Sequence, residues 1–583
     1  MIKILKYLNK KQVLQLFLSL IFIVASVYLD LKIPDYMAKI TIYVETPGHS
    51  VREIIGEGKW MILCAFGSLL SSIIVGYLSA VISSSFSRDI RSRIFKKVEA
   101  FSKKDINEFS TASLITRSTN DITQIQMVIV IGIQILIKAP IMAVWAITKI
   151  YNKGFEWTMA TGLVLLFLVI YVAVVMILVM PKFKMMQTLT DNITRVLREN
   201  LTGLSVIRAY NSEAYREGKF RETNDELTST QLFTSKIMAT LFPTINFAMS
   251  ILTLLIYFIG AGLINEVGLM DRYTMFSDMV VFSSYAMQVI MAFMMMSMIF
   301  IMLPRAEISA SRINEVLDTK ISISDGHFER VDNNSPYAIE FDKVSFKYQD
   351  SEDYVLKDID FRVKKGEKVA IIGSTGSGKS TILNLLMRFY DVSEGKILVD
   401  GMDIKSYKLK NLYEKFGPVL QNSLLFKGDI KSNISFADKN MDDEKIKKAA
   451  DIAEASEFIE NYDDKFDHAI AQLGKNVSGG QKQRLAIARA IYKKPDIYLF
   501  DDSFSALDFK TDRNLRHKLK EVYPDATIMV VAQRVGSIMD SDQIIVLDNG
   551  EIVGLGKHNY LLKTCEVYRQ IAGSQLSKEE LYG

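Results

Sequence analysis

Long apolar runs occupy the first half of the chain, and short apolar runs separated by polar residues occupy the second half. Six runs before residue 304 are each long enough to cross a bilayer, which takes roughly 20 residues. One such run could be a buried core helix of a large soluble protein, but six in succession predict a membrane domain. The runs cover residues 13–31, 60–82, 127–147, 158–180, 241–264 and 275–303.

The segments that connect these runs differ in charge. Residues 88–126 and 181–240 are rich in lysine and arginine, whereas the three other connections carry far fewer. Lysine and arginine are retained on the cytoplasmic side during insertion, so both termini are predicted to be cytoplasmic. Lys10 and Lys11 precede the first run and no small-residue cleavage site follows it, which indicates a retained span and not a signal peptide.

The two basic segments also have helical periodicity and few glycines or prolines. The neighbouring spans are therefore predicted to continue as helices into the cytoplasm, where they could reach a soluble domain. Such a domain is predicted from residue 338 onward, where β-rich runs such as KVAIIG (368–373) and TIMVVA (527–532) alternate with helical stretches. This alternation predicts an α/β domain with a largely parallel sheet.

Composition narrows the possible functions. The chain has 49% hydrophobic and 23% charged residues and a formal net charge of +4, and membrane topology explains most of its basic residues. No nucleic-acid partner is expected. Cys64 and Cys565 are the two cysteines of the chain, and their spacing predicts neither a metal site nor a disulfide framework.

The stretch GSTGSGKS follows the apolar run KVAII and precedes the helical run STILNLLMRF. It matches the phosphate-binding P-loop, in which glycines let backbone N–H groups surround phosphate oxygens at a helix N-terminus. Lys379 would reach the β and γ phosphates of ATP, and Ser380 would bind Mg²⁺. The candidate phosphate-binding residues are Gly373, Ser374, Thr375, Gly376, Ser377, Gly378, Lys379, Ser380 and Thr381.

Two further motifs lie downstream of the P-loop. The run IYLFD ends in Asp501, and a second apolar strand that ends in aspartate supplies the Mg²⁺ carboxylate of P-loop proteins. Between it and the P-loop, VSGGQ at 477–481 opens a helix whose N-terminus suits an anion.

Together these motifs resemble the ATP-binding cassette (ABC) family, and in particular its exporter half-transporters, in which six spans precede one nucleotide-binding domain. The stretch RENLTGLSVIRAYNSE at 198–213 resembles the cytoplasmic loop between spans four and five of those exporters. The predicted architecture is therefore an α-helical six-span membrane domain at 1–320, a linker at 321–337, and an α/β P-loop nucleotide-binding domain at 338–583. Segments near 110–113 and 210–213 are expected, by resemblance, to contact the nucleotide domains.

The resemblance implies further roles by position. Tyr348 resembles the aromatic residue that stacks on adenine, and Gln421 the glutamine that senses Mg²⁺ and the attacking water. Asp508 resembles the residue that communicates across the interface between two such domains. The signature that closes over the partner's nucleotide is matched by Ser478, Gly479, Gly480 and Gln481.

Two positions depart from the family pattern. Asp502 stands where the family has a glutamate that polarises water, and Gln533 stands where it has a histidine. Aspartate is one methylene shorter, and glutamine cannot carry the proton or charge of an imidazole. Hydrolysis at this chain's own site is therefore expected to be weak, as in the degenerate subunit of heterodimeric bacterial multidrug exporters. The alternative is that Asp502 remains an adequate base in a homodimer.

The predicted function is ATP-driven export of drug-like or lipid-like amphipathic compounds through the bacterial cell (inner) membrane. A second half-transporter subunit is the implied partner, with ATP and Mg²⁺ as cofactors. The alternatives are a homodimeric lipid or peptide exporter with slow ATPase activity, and an ATP-gated channel or sensor. The methionine-rich stretch 287–302 could re-pack around varied ligands or could face lipid and neighbouring helices. Lys138, within the third span, is expected to be paired or to face a cavity.

Overall fold

The computed structural model describes residues 2–46, 48–151, 153–328, 335–349, 351–436, 438 and 440–576. The chain divides into two compact units. The first comprises Met1–Glu99 and Thr111–Thr319, and the second comprises Ala100–Ser110 and Lys320–Gly583. Part of the predicted linker, residues 329–334, lies outside the described residues.

The first unit contains six helical segments that are long and apolar enough to cross a membrane, which confirms the six predicted spans. We call them spans 1 to 6: Lys10–Glu45, Val51–Glu99, Thr111–Tyr151, Phe155–Thr202, Glu213–Glu266 and Asp271–Ser297. The helix of span 1 continues well beyond the predicted end at residue 31 and passes through Pro34. The predicted end was too early because apolar side chains recur among the polar residues of 32–45 and keep the helical pattern.

Spans 3 and 5 are each composed of more than one helical element, and span 3 contains a π-helical turn at Gly132–Leu136. In contrast, a single helix runs from Leu269 to Asp318 through span 6. Such π-helical turns locally alter the direction in which side chains point. The helices of the first unit are Ile2–Leu5, Lys10–Glu45, Val51–Glu99, Thr111–Ser118, Asn120–Ile131, Lys138–Tyr151, Phe155–Thr202, Leu204–Ala209, Glu213–Ala239, Leu241–Glu266 and Leu269–Asp318.

The second unit is built on two larger sheets and a two-stranded ribbon. The strands are β1 Tyr337–Phe346, β2 Leu356–Lys364, β3 Lys368–Gly373, β4 Glu394–Val399, β5 Met402–Asp403, β6 Phe416–Val419, β7 Gly428–Asp429, β8 Ala469–Ile470, β9 Ile497–Asp501, β10 Thr527–Val531, β11 Gln543–Asp548 and β12 Glu551–Gly556. A six-stranded sheet has the order β12-β11-β3-β10-β9-β6, and a four-stranded antiparallel sheet has the order β2-β1-β4-β5.

The prediction of a largely parallel sheet is confirmed for the six-stranded sheet only. β6, β9, β10, β3 and β11 are parallel neighbours, and their side chains are nearly all buried. The β-rich runs AIEFDKVSFKY (338–348) and KILVD (396–400) form antiparallel strands of the smaller sheet. Burial explains the difference: β2 alternates buried and exposed positions, as antiparallel strands with one solvated face do.

Helices cover the six-stranded sheet and complete the core of this unit. Buried residues from the helices Asp443–Ile452 and Gly479–Lys493 pack with β9 and β10. The helices of the second unit are Lys103–Phe109, Lys379–Leu386, Leu409–Glu414, Ile430–Ile434, Asp443–Ile452, Ser456–Glu460, Gly479–Lys493, Phe509–Val522, His558–Thr564 and Glu566–Gln575.

The short helix Lys103–Phe109 belongs to the second unit although it lies between spans 2 and 3 in the sequence. Ser102 caps its N-terminus, and the carboxylate of Asp105 accepts a hydrogen bond of 3.3 Å from the backbone N–H of Ser322. Lys103 donates to the side chain of Asn384 at 3.4 Å. The connection between spans 2 and 3 therefore packs within the second unit just before the predicted contact segment 110–113.

Candidate nucleotide site

Sheet topology brings the main sequence motifs to one edge of the six-stranded sheet. β10 lies between β3 and β9 and is parallel to both, so the carboxyl ends of the three strands meet at that edge. Val531 pairs with Ile371 on one side and with Asp501 on the other. Ligands of open α/β sheets bind at the carboxyl ends of the strands, and this edge is where the P-loop, Asp501 and Gln533 lie.

Two glycines of the P-loop stand where a larger residue would collide with the backbone or require strain. A Cβ atom on Gly373 would lie 2.1 Å from the carbonyl oxygen of Leu547. Gly378 has a φ of +94°, and a Cβ there would lie 2.6 Å from Leu356. The loop can therefore turn tightly into the helix Lys379–Leu386, whose first N–H groups have no partner within the helix.

The ammonium group of Lys379 lies inside the loop. It donates to the carbonyl oxygens of Gly373 at 2.9 Å and Ser374 at 2.6 Å. Burial lowers the pKa of Lys379, and the carboxylates of Asp502 and Asp501 oppose that shift. A phosphate held by the loop would be a stronger acceptor than these carbonyls and would restore the cation's preference for its charged form.

Ser380 and Asp501 place two hard oxygen atoms side by side. The Ser380 hydroxyl donates to Asp501 Oδ1 at 2.8 Å, and Asp501 is only 7% exposed. Burial raises the pKa of the Asp501 carboxyl, against the lowering effects of the Ser380 hydrogen bond and of two nearby lysines. Hydroxyl and carboxylate oxygens are the donors that Mg²⁺ prefers, so this pair fits that ion. Gln421 is exposed and follows β6, the strand next to β9.

Asp502 has an unusual backbone conformation and a specific partner. Its φ is +49°, in the left-handed region that side chains other than glycine seldom adopt. Its Oδ2 atom accepts a hydrogen bond of 2.9 Å from the Nε2 amide of Gln533. Burial raises the pKa of Asp502, and the neighbouring Asp501 carboxylate adds to that rise. The structure thus joins the two residues that depart from the family pattern.

The remaining predicted residues surround this centre. Tyr348 packs edge-on against Phe346 and Tyr390, with ring centroids 4.9 and 5.3 Å apart, and its hydroxyl lies 3.2 Å from that of Thr381. One hydrogen bond therefore connects the predicted adenine-stacking aromatic to the P-loop helix. Ser374, Thr375 and Gly376 are exposed at the tip of the loop, and Ser377 is buried beneath it.

The signature residues form a capping box at the start of the helix Gly479–Lys493. Gln481 N–H donates to the Ser478 hydroxyl at 3.3 Å, and Ser478 N–H donates back to Gln481 Oε1 at 2.9 Å. Gly479 is exposed, and a Cβ on Gly480 would lie 3.2 Å from Ala506 O. Within the described part of the chain no hydrogen bond joins this signature to the P-loop.

Asp508 caps the helix Phe509–Val522. It accepts from Thr511 N–H at 2.9 Å and from the Thr511 hydroxyl at 2.7 Å, and the backbone bond is the main cause of its lowered pKa. The side chain of Arg534 donates to the carbonyl oxygens of Ser505 and Leu507, at 3.0 and 3.4 Å. The residue after Gln533 therefore holds the loop between Asp502 and Asp508.

Comparisons with known proteins agree with this geometry. Residues 356–505 match the family described as "ABC transporter", and residues 14–293 match the "ABC transporter transmembrane region". An uncharacterized ABC transporter ATP-binding protein of Mycobacterium bovis is 35% identical over 90% of this chain and 88% of its own length. The chain belongs to the ABC transporter family.

The transporter is also similar to other bacterial ABC proteins. An uncharacterized ABC transporter ATP-binding protein of Bacillus subtilis is 32% identical over 90% of both chains. An ATP-dependent lipid A-core flippase of Pseudomonas aeruginosa is 30% identical over 89% of the transporter and 85% of the flippase. A bacterial Atm1-family ABC exporter with ATP bound has the same fold, with a TM-score of 0.80 at 23% identity over 98% of the transporter and 99% of that chain.

The transporter is thus a multi-pass membrane protein with the fold of ABC exporters and an ABC transporter ATPase domain. ABC ATPase domains bind ATP, and ABC exporters act as dimers within the lipid bilayer. The finer predictions, which concern the strength of hydrolysis at this site and the identity of the partner, depend on the geometry of Asp502 and Gln533.

The membrane domain contains a polar cluster that sequence reasoning found only in part. The ammonium of Lys138 lies 3.2 Å from Asp30 Oδ2 and 3.3 Å from the Ser26 hydroxyl, so the predicted pairing of Lys138 is confirmed. Ser68 of span 2 also donates to Asp30. Asp30 was missed because the first span was predicted to end at residue 31, which placed this carboxylate at the membrane surface.

A second cluster lies near the far end of the same helices. Asp35 accepts hydrogen bonds from Lys149 at 2.8 Å and from the Tyr285 hydroxyl at 2.5 Å. Lys153 of the segment after span 3 pairs with Asp278 of span 6. The charged side chains of these two clusters are therefore matched with partners, as expected where water is scarce.

The exposure of the side chains in the methionine-rich stretch fits both of its predicted roles. Met291 is 38% exposed, and the methionines at 294–296 are half-buried. The side chains of 298–301 lie outside the described residues.

Proposed function

We propose that this chain is one subunit of an ATP-driven exporter and that hydrolysis at its own nucleotide site is weak. The observation that carries the proposal is the hydrogen bond between Gln533 Nε2 and Asp502 Oδ2. In the family pattern these positions hold a glutamate base and a histidine. Here a shorter carboxylate is held by an amide that can donate a hydrogen bond but cannot release or take up a proton.

Nucleotide binding itself would be retained. Lys379 and the P-loop N–H groups would hold the phosphates, Tyr348 would stack on the adenine, and Ser380 and Asp501 would hold Mg²⁺ with Gln421 nearby. The bound ion would neutralise phosphate charge during transfer to water. These residues keep the types and hydrogen bonds that such binding needs, so we assign the loss to the hydrolytic step alone.

The partner is proposed to be a second, different half-transporter. The exposed capping box at Ser478–Gln481 opens a helix N-terminus that suits an anion, and no hydrogen bond in the described residues joins it to its own P-loop, as expected for a signature that completes another subunit's site. Asp508 and the loop held by Arg534 would lie at that interface. The partner would supply the intact glutamate and histidine, and its site would perform most of the hydrolysis.

The cargo is proposed to be an amphipathic, lipid-like or drug-like compound. The similarity to a lipid A-core flippase supports this class, and the methionines of span 6 would be able to re-pack around differently shaped apolar groups. The proposed domain limits are 1–320, 321–337 and 338–583. Both termini are assigned to the cytoplasm of a bacterial cell because the basic connections lie on that side.

The test is the ATPase activity of the purified chain in lipid vesicles, with and without any half-transporter that co-purifies with it. The comparison is between wild type and Asp502→Glu combined with Gln533→His. We expect low activity for wild type alone, restoration by the partner, and a rise of about 10- to 100-fold at this site for the double variant. Brisk turnover by the wild-type chain as a homodimer would show that Asp502 is a working base.

A further inference from the structure

The last helix of the described chain, Glu566–Gln575, is anchored firmly on the core of the nucleotide-binding domain. Tyr568 and Ala572 are both fully buried, and a hydrogen bond of 2.7 Å joins the Tyr568 hydroxyl to the ring of His558, itself 8% exposed. Leu576, just after the helix, is partly buried against the same core. Packing against this core therefore fixes the position of the helix.

Gln575 is the final residue of that helix, and its amide forms two hydrogen bonds to one loop. Its Oε1 atom accepts from the backbone N–H of Val535 at 2.8 Å, and its Nε2 atom donates to the carbonyl oxygen of Gln533 at 2.8 Å. The side chain of Gln533 in turn donates to Asp502. Two hydrogen bonds, one to the backbone of Gln533 and one from its side chain, therefore connect the C-terminal helix to Asp502 at the position of the catalytic base.

The same loop is held from its other side. Arg534 bonds to the carbonyl oxygens of Ser505 and Leu507, so it fixes the loop to the segment that follows Asp502. Without Gln575 the loop would keep this attachment but lose both bonds that fix the peptide groups of Gln533 and Val535. The backbone of Gln533 could then rotate, and its side-chain amide would no longer be directed at Asp502.

We propose that Gln575 is a positioning residue for the hydrolytic step: its amide fixes the backbone of Gln533 so that the Gln533 side chain meets Asp502 and the γ-phosphate of bound ATP. The inference rests on the proposed function in assigning Gln533 to the phosphate-sensing position. The amide of Gln575 bonds to Val535 and Gln533 and not to the P-loop or Tyr348, so it acts on the rate constant of hydrolysis and leaves ATP affinity to those residues.

Glutamine suits this task because one amide supplies both a donor and an acceptor. Gln575→Ala removes both hydrogen bonds. Gln575→Glu keeps the acceptor for Val535 N–H but sets a carboxylate against the Gln533 carbonyl oxygen. Gln570→Ala is the matched control, because Gln570 lies on the same helix and its side-chain amide donates to Glu566 of that helix.

The experiment is single-turnover hydrolysis of radiolabelled ATP by the full chain in lipid vesicles, together with equilibrium binding of ATP. For Gln575→Ala we expect a hydrolysis rate constant about 5- to 20-fold lower and a dissociation constant for ATP within about twofold of wild type. The rate constant of Gln575→Glu should lie between those of wild type and Gln575→Ala, and the rate constant of Gln570→Ala should match that of wild type. In a Gln533→Ala background, Gln575→Ala should lower the rate constant less than about twofold further, since both changes break one path.

The inference is overturned if Gln575→Ala behaves like Gln570→Ala, or if its effect is as large without the Gln533 side chain as with it. A fall in ATP affinity equal to the fall in rate would also overturn it, because that result means a general loss of structure. Failure of the proposed function looks different: the wild-type chain would then turn over ATP briskly as a homodimer, whatever the result for Gln575→Ala.

Discussion

The side-chain amide of Gln533 donates a hydrogen bond of 2.9 Å to the carboxylate of Asp502, two residues that lie 31 positions apart in the sequence. Asp502 adopts a left-handed backbone conformation with a φ of +49°, which directs its short side chain toward the loop after β10. The pair meets because β9 and β10 are parallel neighbours that end at the same edge of the sheet. A substitution of Gln533 is therefore expected to change the properties of the Asp502 carboxylate.

Changing Gln533 to glutamate would replace this hydrogen bond by the contact of two carboxyl groups. Burial and Asp501 already raise the pKa of Asp502, and a second carboxylate beside it raises that pKa further. We expect ATP hydrolysis by Gln533→Glu to fall relative to that of wild type as the pH is lowered from 8 toward 6, because more of the Asp502 carboxyl is then protonated and unable to act as a base. The pH profile of single-turnover hydrolysis measures this.

The control is Gln533→Ala, which removes the amide without adding charge. Its activity relative to wild type should not change in the same direction with pH. Parallel pH profiles for the glutamate and alanine variants would contradict a direct contact between residues 502 and 533.

The buried Asp501 carboxylate should cost stability when no cation is present. Its pKa is raised by burial, so the folded chain binds more protons than the unfolded chain between the ordinary and the raised pKa. The stability contribution of this group is thus greatest at low pH and falls as the pH rises through that window. We expect Asp501→Asn to unfold at a higher temperature than wild type at pH 7 in magnesium-free buffer.

The difference between Asp501→Asn and wild type should shrink as the pH is lowered through the raised pKa of Asp501, because the carboxyl becomes protonated there. Addition of Mg²⁺ and ATP should reverse the order at pH 7, because only the carboxylate can pair with the ion. Thermal unfolding of the nucleotide-binding domain followed in detergent provides the measurement. Equal stabilisation of both proteins by Mg²⁺ and ATP would contradict the assignment of Asp501 as a magnesium ligand.

The intramembrane pair of Lys138 and Asp30 should behave as a coupled unit. Lys138→Ala leaves the Asp30 carboxylate with only neutral donors, and Asp30→Asn leaves an uncompensated ammonium. We expect either single change to lower the free energy of unfolding by about 1–3 kcal/mol, and the double change Asp30→Asn with Lys138→Met to recover most of that loss. Thermal unfolding in detergent gives the four values of this cycle.

Lys39→Ala is a suitable control, because Lys39 forms its ion pair with Glu57 at an exposed position, at 3.4 Å. That change should cost less than about 1 kcal/mol. Additive losses in the Asp30 and Lys138 cycle would mean that the two groups do not interact in the folded protein. A changed substrate-competition profile for Lys138→Ala, at equal stability, would instead return Lys138 to the transport path.

The sequence alone determined the six spans and the nucleotide-binding edge of the second domain. A bilayer requires long apolar helices, and the P-loop requires glycine at positions such as Gly373, so both constraints act locally and can be read from a few adjacent residues. The parallel strands around β10 followed from their continuous apolar runs. The antiparallel sheet did not, since a short half-buried strand has the same apolar residues in either direction.

Only the tertiary structure decided which polar groups meet. Lys138 and Asp30 are 108 positions apart, and Gln533 and Gln575 are 42 apart. Their pairing depends on how a helix is rotated and where it ends, and those properties are set by packing against the rest of the fold. A lone glutamine at the end of a helix has no sequence pattern, so the link from Gln575 to Asp502 emerged only when the chain was folded.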